Sequence, residues 1–170
     1  MSVALVALDA TVKIKGPNGT QRTIPFADYH VLPGDHPELD SNLKPGELVT
    51  SIDLPKNNFA EHSYYLKVRD RASYAFALVS VAAAFELSGG NIGQARIALG
   101  GVAHKPWRTS AAETFLQGKP ATEENFKQAA ELAMREAKPL EHNAYKIQLA
   151  KLAIVRALMQ ALHGATPEAS

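Results

Sequence analysis

Two arginines, a lysine, an aspartate, a serine and a tyrosine fall within one short stretch, Lys67-Val68-Arg69-Asp70-Arg71-Ala72-Ser73-Tyr74. Cationic donors beside a ring can meet an anionic or heteroaromatic ligand, through charge-assisted hydrogen bonds and stacking. The aromatic run Tyr64-Tyr65-Leu66 precedes the cluster and the apolar run from Ala75 to Val81 follows it. Such flanks hold polar groups at the rim of a core. A solvated turn between two strands accounts for the same pattern, and periodicity does not choose between the two. No other stretch competes. His30 and His36 lie near Asp28, Asp35, Glu38 and Asp40, but without the helical or strand spacing of a metal-ligand pair. His62, His104 and His142 fall at termini or in loops, where a solvated imidazole is expected. The pair Glu123-Glu124 opens a helix, where the macrodipole favours negative charge. There is no nucleophile elbow and no complete dinucleotide fingerprint, so neither a catalytic set nor a metal set is assigned.

Composition bounds the partners. A chain of 170 residues, 46% apolar and 21% charged, has the make-up of a soluble globular protein, cytoplasmic by default. Its formal net charge of +1 gives no electrostatic case for nucleic acid or an anionic membrane. No cysteine is present, which excludes disulfides, thiolate metal sites and cysteine-held iron–sulfur clusters in this chain.

The elements that must carry the cluster follow from pattern. The apolar start Val3-Ala4-Leu5-Val6-Ala7-Leu8 has no lead-in, and reads as a chain beginning inside a larger domain. Ala10–Lys15 alternates, Gly16-Pro17-Asn18-Gly19 turns, and Thr20–Pro25 returns, which predicts a hairpin. Residues 26–47 are rich in proline and glycine and predict a long irregular connection. Leu48–Leu54 then reads as a strand. The runs Phe76–Leu87 and Ile92–Val102, broken by Ser88-Gly89-Gly90-Asn91, predict an antiparallel hairpin despite Ala82-Ala83-Ala84. With the strand through Lys67 this makes three strands. Ser110-Ala111-Ala112-Glu113 matches a capping box for a helix to about Gln117. Thr122 is the expected N-cap of a second helix to about Ala137, with a stripe of Phe126, Ala130, Ala133 and Ala137. A third helix is expected from about Ala144 to Leu162, burying Ile147, Ala150, Ile154, Leu158 and Ala161.

Several segments carry a family resemblance in their order. They are Val3-Ala4-Leu5-Val6-Ala7-Leu8-Asp9-Ala10, Leu32-Pro33-Gly34-Asp35, Pro45-Gly46-Glu47-Leu48-Val49, the stretch from Lys67 to Ala77, and Lys105-Pro106-Trp107-Arg108. Together they resemble the FAD-binding medium subunit of molybdenum hydroxylases, the xanthine dehydrogenase and carbon monoxide dehydrogenase flavoprotein family. The wording is most similar to its aldehyde oxidoreductase branch.

The elements read from pattern make an α+β arrangement that segregates sheet from helices, and the resemblance implies the same fold. A three-stranded antiparallel sheet is covered by a three-helix bundle, and the remnant of an α/β FAD-binding lobe precedes it. The implied division is 1–55 for the end of the second FAD-binding lobe, 56–165 for the flavoprotein C-terminal domain and 166–170 for a tail. It also implies FAD as cofactor of the complete subunit, with this chain alone expected to lack it. Val49 is implied beside the isoalloxazine ring, Lys67 near the flavin, and Arg71 and Tyr74 on the segment over it. The implied partners are a molybdenum-cofactor subunit and an iron–sulfur subunit, with no nucleic acid and no membrane. The implied function is electron transfer from the clusters through FAD to an external acceptor, the isolated chain being inactive. The alternative is a binding or subunit-assembly module that reuses the C-terminal fold without flavin.

Overall fold

The computed structural model describes residues 1–164. Its elements are α1 (Ser2–Ala7), β1 (Thr11–Lys15), β2 (Gln21–Pro25), β3 (Leu48–Asp53), β4 (Ser63–Val68), β5 (Val79–Ser88) and β6 (Asn91–Gly100). After them come β7 (Trp107–Arg108), α2 (Ser110–Leu116), α3 (Glu123–Ala133) and α4 (Tyr145–His163). Two antiparallel sheets form, in the orders β2-β1-β3 and β4-β5-β6-β7. Both predicted hairpins are present. The second sheet holds the three expected strands plus β7, two residues that pair with Ala98 and Leu99 of β6.

β5 is the centre of the molecule because both of its faces are buried. Val79, Val81, Ala83 and Phe85 join α3 and α4 in the larger core, with Phe126, Ile154 and Leu158 fully enclosed. On the opposite face Ala82 and Ala98 belong to a second cluster with Val3, Val6, Val12 and Ile14. This explains the alanine run. A strand packed on both faces needs small side chains where a helix approaches, and α1 lies against β5 and β6 there. Strand propensity of single residues yields to that packing. The strand starts at Val79, not Phe76; residues 76–78 belong to the preceding loop.

The three predicted helices are found with shifted ends. α3 starts after Thr122, whose hydroxyl accepts from the Asn125 amide at 3.4 Å. It stops at Ala133, so Ala137 falls beyond the helix. In α4, Ala150, Ile154, Leu158 and Ala161 are buried and Ile147 is half-buried. The expected capping box of α2 does not form. Thr109 is its N-cap, and the Glu113 carboxylate instead accepts from the Ile97 amide at 2.8 Å and from Arg108. The buried Ile97 amide lies just beyond the short pairing of β6 with β7, and the carboxylate satisfies it in place of the helix start.

Arg22 on β2 ties down the proline-rich connection. Its guanidinium donates to both carboxylate oxygens of Glu47, at 2.9 and 2.7 Å, and to the Asn42 carbonyl. The Lys44 amide adds a bond to Glu47 Oε2 at 2.7 Å. The Arg22 hydrogen bond, then the Lys44 amide, hold the Glu47 carboxyl down to about 2 from an ordinary 4.5. A depressed folded value contributes stability that is complete above about 4.5 and lost as pH falls through about 2. Glu47→Gln is therefore expected to flatten the acid limb of an unfolding curve across that window, leaving the limb above pH 5 unchanged in slope. Equal acid limbs for the two proteins would show that the carboxylate is not tied to the fold.

Candidate functional site

The cluster that carries the chemistry falls on the loop joining β4 to β5, residues 69–78. Its root is rigid. The Leu78 amide donates to the Val68 carbonyl at 2.9 Å, closing the strand pair. Gly101 sits against it at φ +77°, where a Cβ would lie 2.9 Å from the Leu78 oxygen and 3.0 Å from that of Ala77. Only glycine admits both that backbone conformation and that approach. Lys146 at the start of α4 donates to the Gly101 carbonyl at 3.0 Å and fixes the same corner.

The loop tip is built differently. The Arg71 guanidinium folds back on the Tyr74 carbonyl through Nε at 3.1 Å, with a second donation from its terminal nitrogen. Tyr74 itself adopts φ +53°, an uncommon left-handed conformation for a bulky residue, which concentrates at functional sites. The result is a ring held clear of its own chain: Tyr74 is 97% exposed and Phe76 98%.

Lys67 is exposed on β4, the edge strand of the second sheet, directly opposite Ser80 of β5. It makes no ion pair among the described residues. Val49 lies on β3, the open edge of the first sheet, opposite Ile14, and is 38% exposed. A register shift between Lys13 and Ile14 leaves Thr50 unpaired, its hydroxyl donating to the Lys13 carbonyl at 3.2 Å. That bulge returns Val49 to the face of Val12 and Ile14. Of the four residues singled out, Arg71 and Tyr74 are in direct contact. Lys67 shares their hairpin on the strand leading into the loop, and Val49 belongs to the other sheet.

Sequence reasoning missed three features. Phe76, assigned to a strand, is a second free ring of the loop. Ser80, hidden inside an apolar run, is 96% buried, at 4% exposure. His62, expected to be solvated, is half-buried, stacked on Phe85 at 5.4 Å between centroids, with Nδ1 3.1 Å from the Ala161 carbonyl. No group of residues among those described could hold a metal ion.

An ionic network ties α1 to the second sheet. Arg108 on β7 donates to Glu113 at 2.9 and 3.1 Å, to the Val6 carbonyl at 3.3 Å and to Asp9. Arg96 of β6 donates to Asp9 at 3.1 Å and lies over the Phe59 ring at 5.6 Å. Burial pulls the Arg108 pKa down, but the bonds from Glu113 and Asp9 outweigh it and leave the guanidinium above its ordinary value. α1 and its sheet are thereby locked to β6, β7 and α2.

The fold is that of a known class. Residues 64–161 match the family of CO dehydrogenase flavoprotein C-terminal domains, and residues 1–57 match the FAD binding domain in molybdopterin dehydrogenase. The chain belongs to the CO dehydrogenase flavoprotein C-terminal domain family. It is 43% identical over 162 residues to the aldehyde oxidoreductase FAD-binding subunit PaoB of Escherichia coli, covering 95% of this chain and 47% of that one. It is 29% identical over 164 residues to the glyceraldehyde dehydrogenase medium chain of Sulfolobus acidocaldarius, covering 94% and 56%. Among solved structures, quinoline 2-oxidoreductase from Pseudomonas putida 86 superposes with a TM-score of 0.83 at 28% identity, covering 97% of this chain and 56% of that one. Reconstituted CO dehydrogenase from Oligotropha carboxidovorans gives 0.83 at 25% identity, covering 97% and 57%. The chain thus spans about half the length of the relatives it matches.

Proposed function

We propose that this chain forms part of the FAD subunit of a molybdenum-containing oxidoreductase. In that assembly electrons from iron–sulfur clusters pass through FAD to an external acceptor. Residues 1–55 form the end of a FAD-binding lobe, and 56–165 its C-terminal domain. A molybdenum-cofactor subunit and an iron–sulfur subunit are the partners. The observation that carries the reading is the match of two successive flavoprotein families to successive parts of one chain. A flavin-free assembly module explains the second match and leaves the first without a role.

The residues present fit the ring of the cofactor. Val49 offers a half-exposed apolar side chain, Lys67 an unpaired ammonium and Tyr74 an unpacked ring. When bound, FAD supplies an electron store that exchanges with one-electron and two-electron carriers alike. The chain's own groups bind and orient. With FAD bound, the Lys67 ammonium would donate to a ring carbonyl, Val49 would supply an apolar wall that excludes water, and Tyr74 would offer its ring for stacking. Arg71, spent on the Tyr74 carbonyl, acts as a positioning residue that holds the loop tip in shape. The fit stops at the ring. Among the described residues, none of the helices α2–α4 opens from a glycine-rich loop, the usual cradle of a pyrophosphate.

Affinity purification through a tag on this chain, from cells that produce it natively, tests the assembly. The isolated complex is expected to contain iron, molybdenum and extractable FAD, with flavin absorbance that bleaches under a reducing substrate. A complex with none of the three would contradict the reading.

A further inference from the structure

A pocket of about 210 Å³ opens between β7, the start of α2 and the end of α3. Its apolar walls are Trp107 of β7, Ala111 of α2, and Leu132 and Ala133 of α3. Trp107, the only tryptophan of the chain, is half-buried and packed against the larger core. Some polar groups of the lining are already engaged. Arg108 is held by Glu113 and Asp9, and the Thr109 hydroxyl donates to the Ile97 carbonyl at 3.3 Å. Arg135 and Glu136 are not. They follow α3 on the turn that ends it, are exposed, and both line the pocket. Neither side chain makes a hydrogen bond or an ion pair among the described residues. The pocket thus joins apolar walls to one uncommitted charge of each sign.

We propose that this pocket binds the zwitterion of an α-amino acid whose side chain is apolar and carries one ring. A ligand with a carboxylate alone would meet the Glu136 charge, and one with an ammonium alone would meet that of Arg135. A zwitterion pairs both. The Arg135 guanidinium donates to the carboxylate. The ammonium donates to Glu136, beside the carbonyl end of α3, which also favours a cation. The two charges stem from consecutive residues, whose Cα atoms are about 3.8 Å apart, which suits two charged groups on one carbon. Size sets the side chain. A dry cavity of about 150 Å³ takes a single benzene ring, so about 210 Å³ takes one ring and the carbon that bears the charges. The ring lies on Trp107, against Leu132 and Ala133. The pocket shares no residue with Val49, Lys67, Arg71 and Tyr74, and stands without the flavin reading.

The single tryptophan makes the test selective, because fluorescence excited where tyrosine does not absorb reports on this pocket alone. L-Phenylalanine, hydrocinnamate, which lacks the ammonium, and phenethylamine, which lacks the carboxylate, are titrated into the purified 170-residue chain. Phenylalanine is expected to give a saturable change and to bind about five-fold tighter than either analogue, one exposed ion pair's worth. Arg135→Gln should remove the gap between phenylalanine and phenethylamine and keep that to hydrocinnamate. Glu136→Gln should do the reverse. Both positions are exposed, so neither change disturbs the core. Absence of a saturable change, equal binding of the three probes, or gaps that survive both substitutions overturns the proposal.

Discussion

Leu158→Ala is expected to lower the unfolding free energy by about 2–5 kcal/mol. The side chain is fully buried where α4 crosses the second sheet, in the cluster that holds Val81, Phe85, Phe126 and Ile154. Its removal takes away apolar burial and leaves a cavity that β5 cannot collapse into, because the opposite face of that strand is packed as well. Chemical denaturation measures the loss. A change near zero would mean that α4 is not docked as described.

Arg108→Ala is expected to cost about 2–3 kcal/mol, the range for losing hydrogen bonds between charged partners at a half-buried position. The guanidinium has three acceptors, Glu113 of α2, Asp9 and the Val6 carbonyl of α1, and the Ile97 amide donates to the same Glu113 carboxylate. Removing it leaves the Glu113 carboxylate, whose side chain is 10% exposed, without its cation. Arg108→Lys should recover only part of the loss, because an ammonium cannot serve Glu113 in a fork and Asp9 at once. Thermal unfolding of both variants checks this. Lysine restoring full stability would show that charge alone matters at this position.

Local signals in the sequence were sufficient for elements whose reasons are local. The Gly16-Pro17-Asn18-Gly19 turn, the Thr122 cap and the α4 stripe each depend on residues a few positions apart. What stayed hidden depends on distance. Asp9 and Arg108 meet across 99 positions, Arg22 and Glu47 across 25, and His62 finds the Ala161 carbonyl across 99. Glu113 had the spacing of a capping box, but tertiary structure offered it a buried amide and a guanidinium instead. The exposure of Phe76 was equally invisible, since an apolar run reads the same in a strand and in a loop root. The order of family segments pointed to Val49, Lys67, Arg71 and Tyr74. Their geometry divides them into a loop pair, a strand-edge lysine and a residue of the other sheet, and it engages Arg71 with its own backbone.

We propose that Val49, Lys67 and Tyr74 meet the ring of a flavin, while the described residues offer no glycine-rich cradle for its pyrophosphate. Hydrogen bonds to a charged group are worth about 1.5–3 kcal/mol each. Lacking three removes about 5–9 kcal/mol, or three to six decades of affinity. One stacked ring and one exposed cation return only about 1–2 kcal/mol. Titrating the purified 170-residue chain with FAD and with lumiflavin, followed by flavin fluorescence, tests this most directly. Weak binding of both is expected, with dissociation constants above about a micromolar and close to each other. FAD binding well below a micromolar and far tighter than lumiflavin would mean that a complete site lies within the chain.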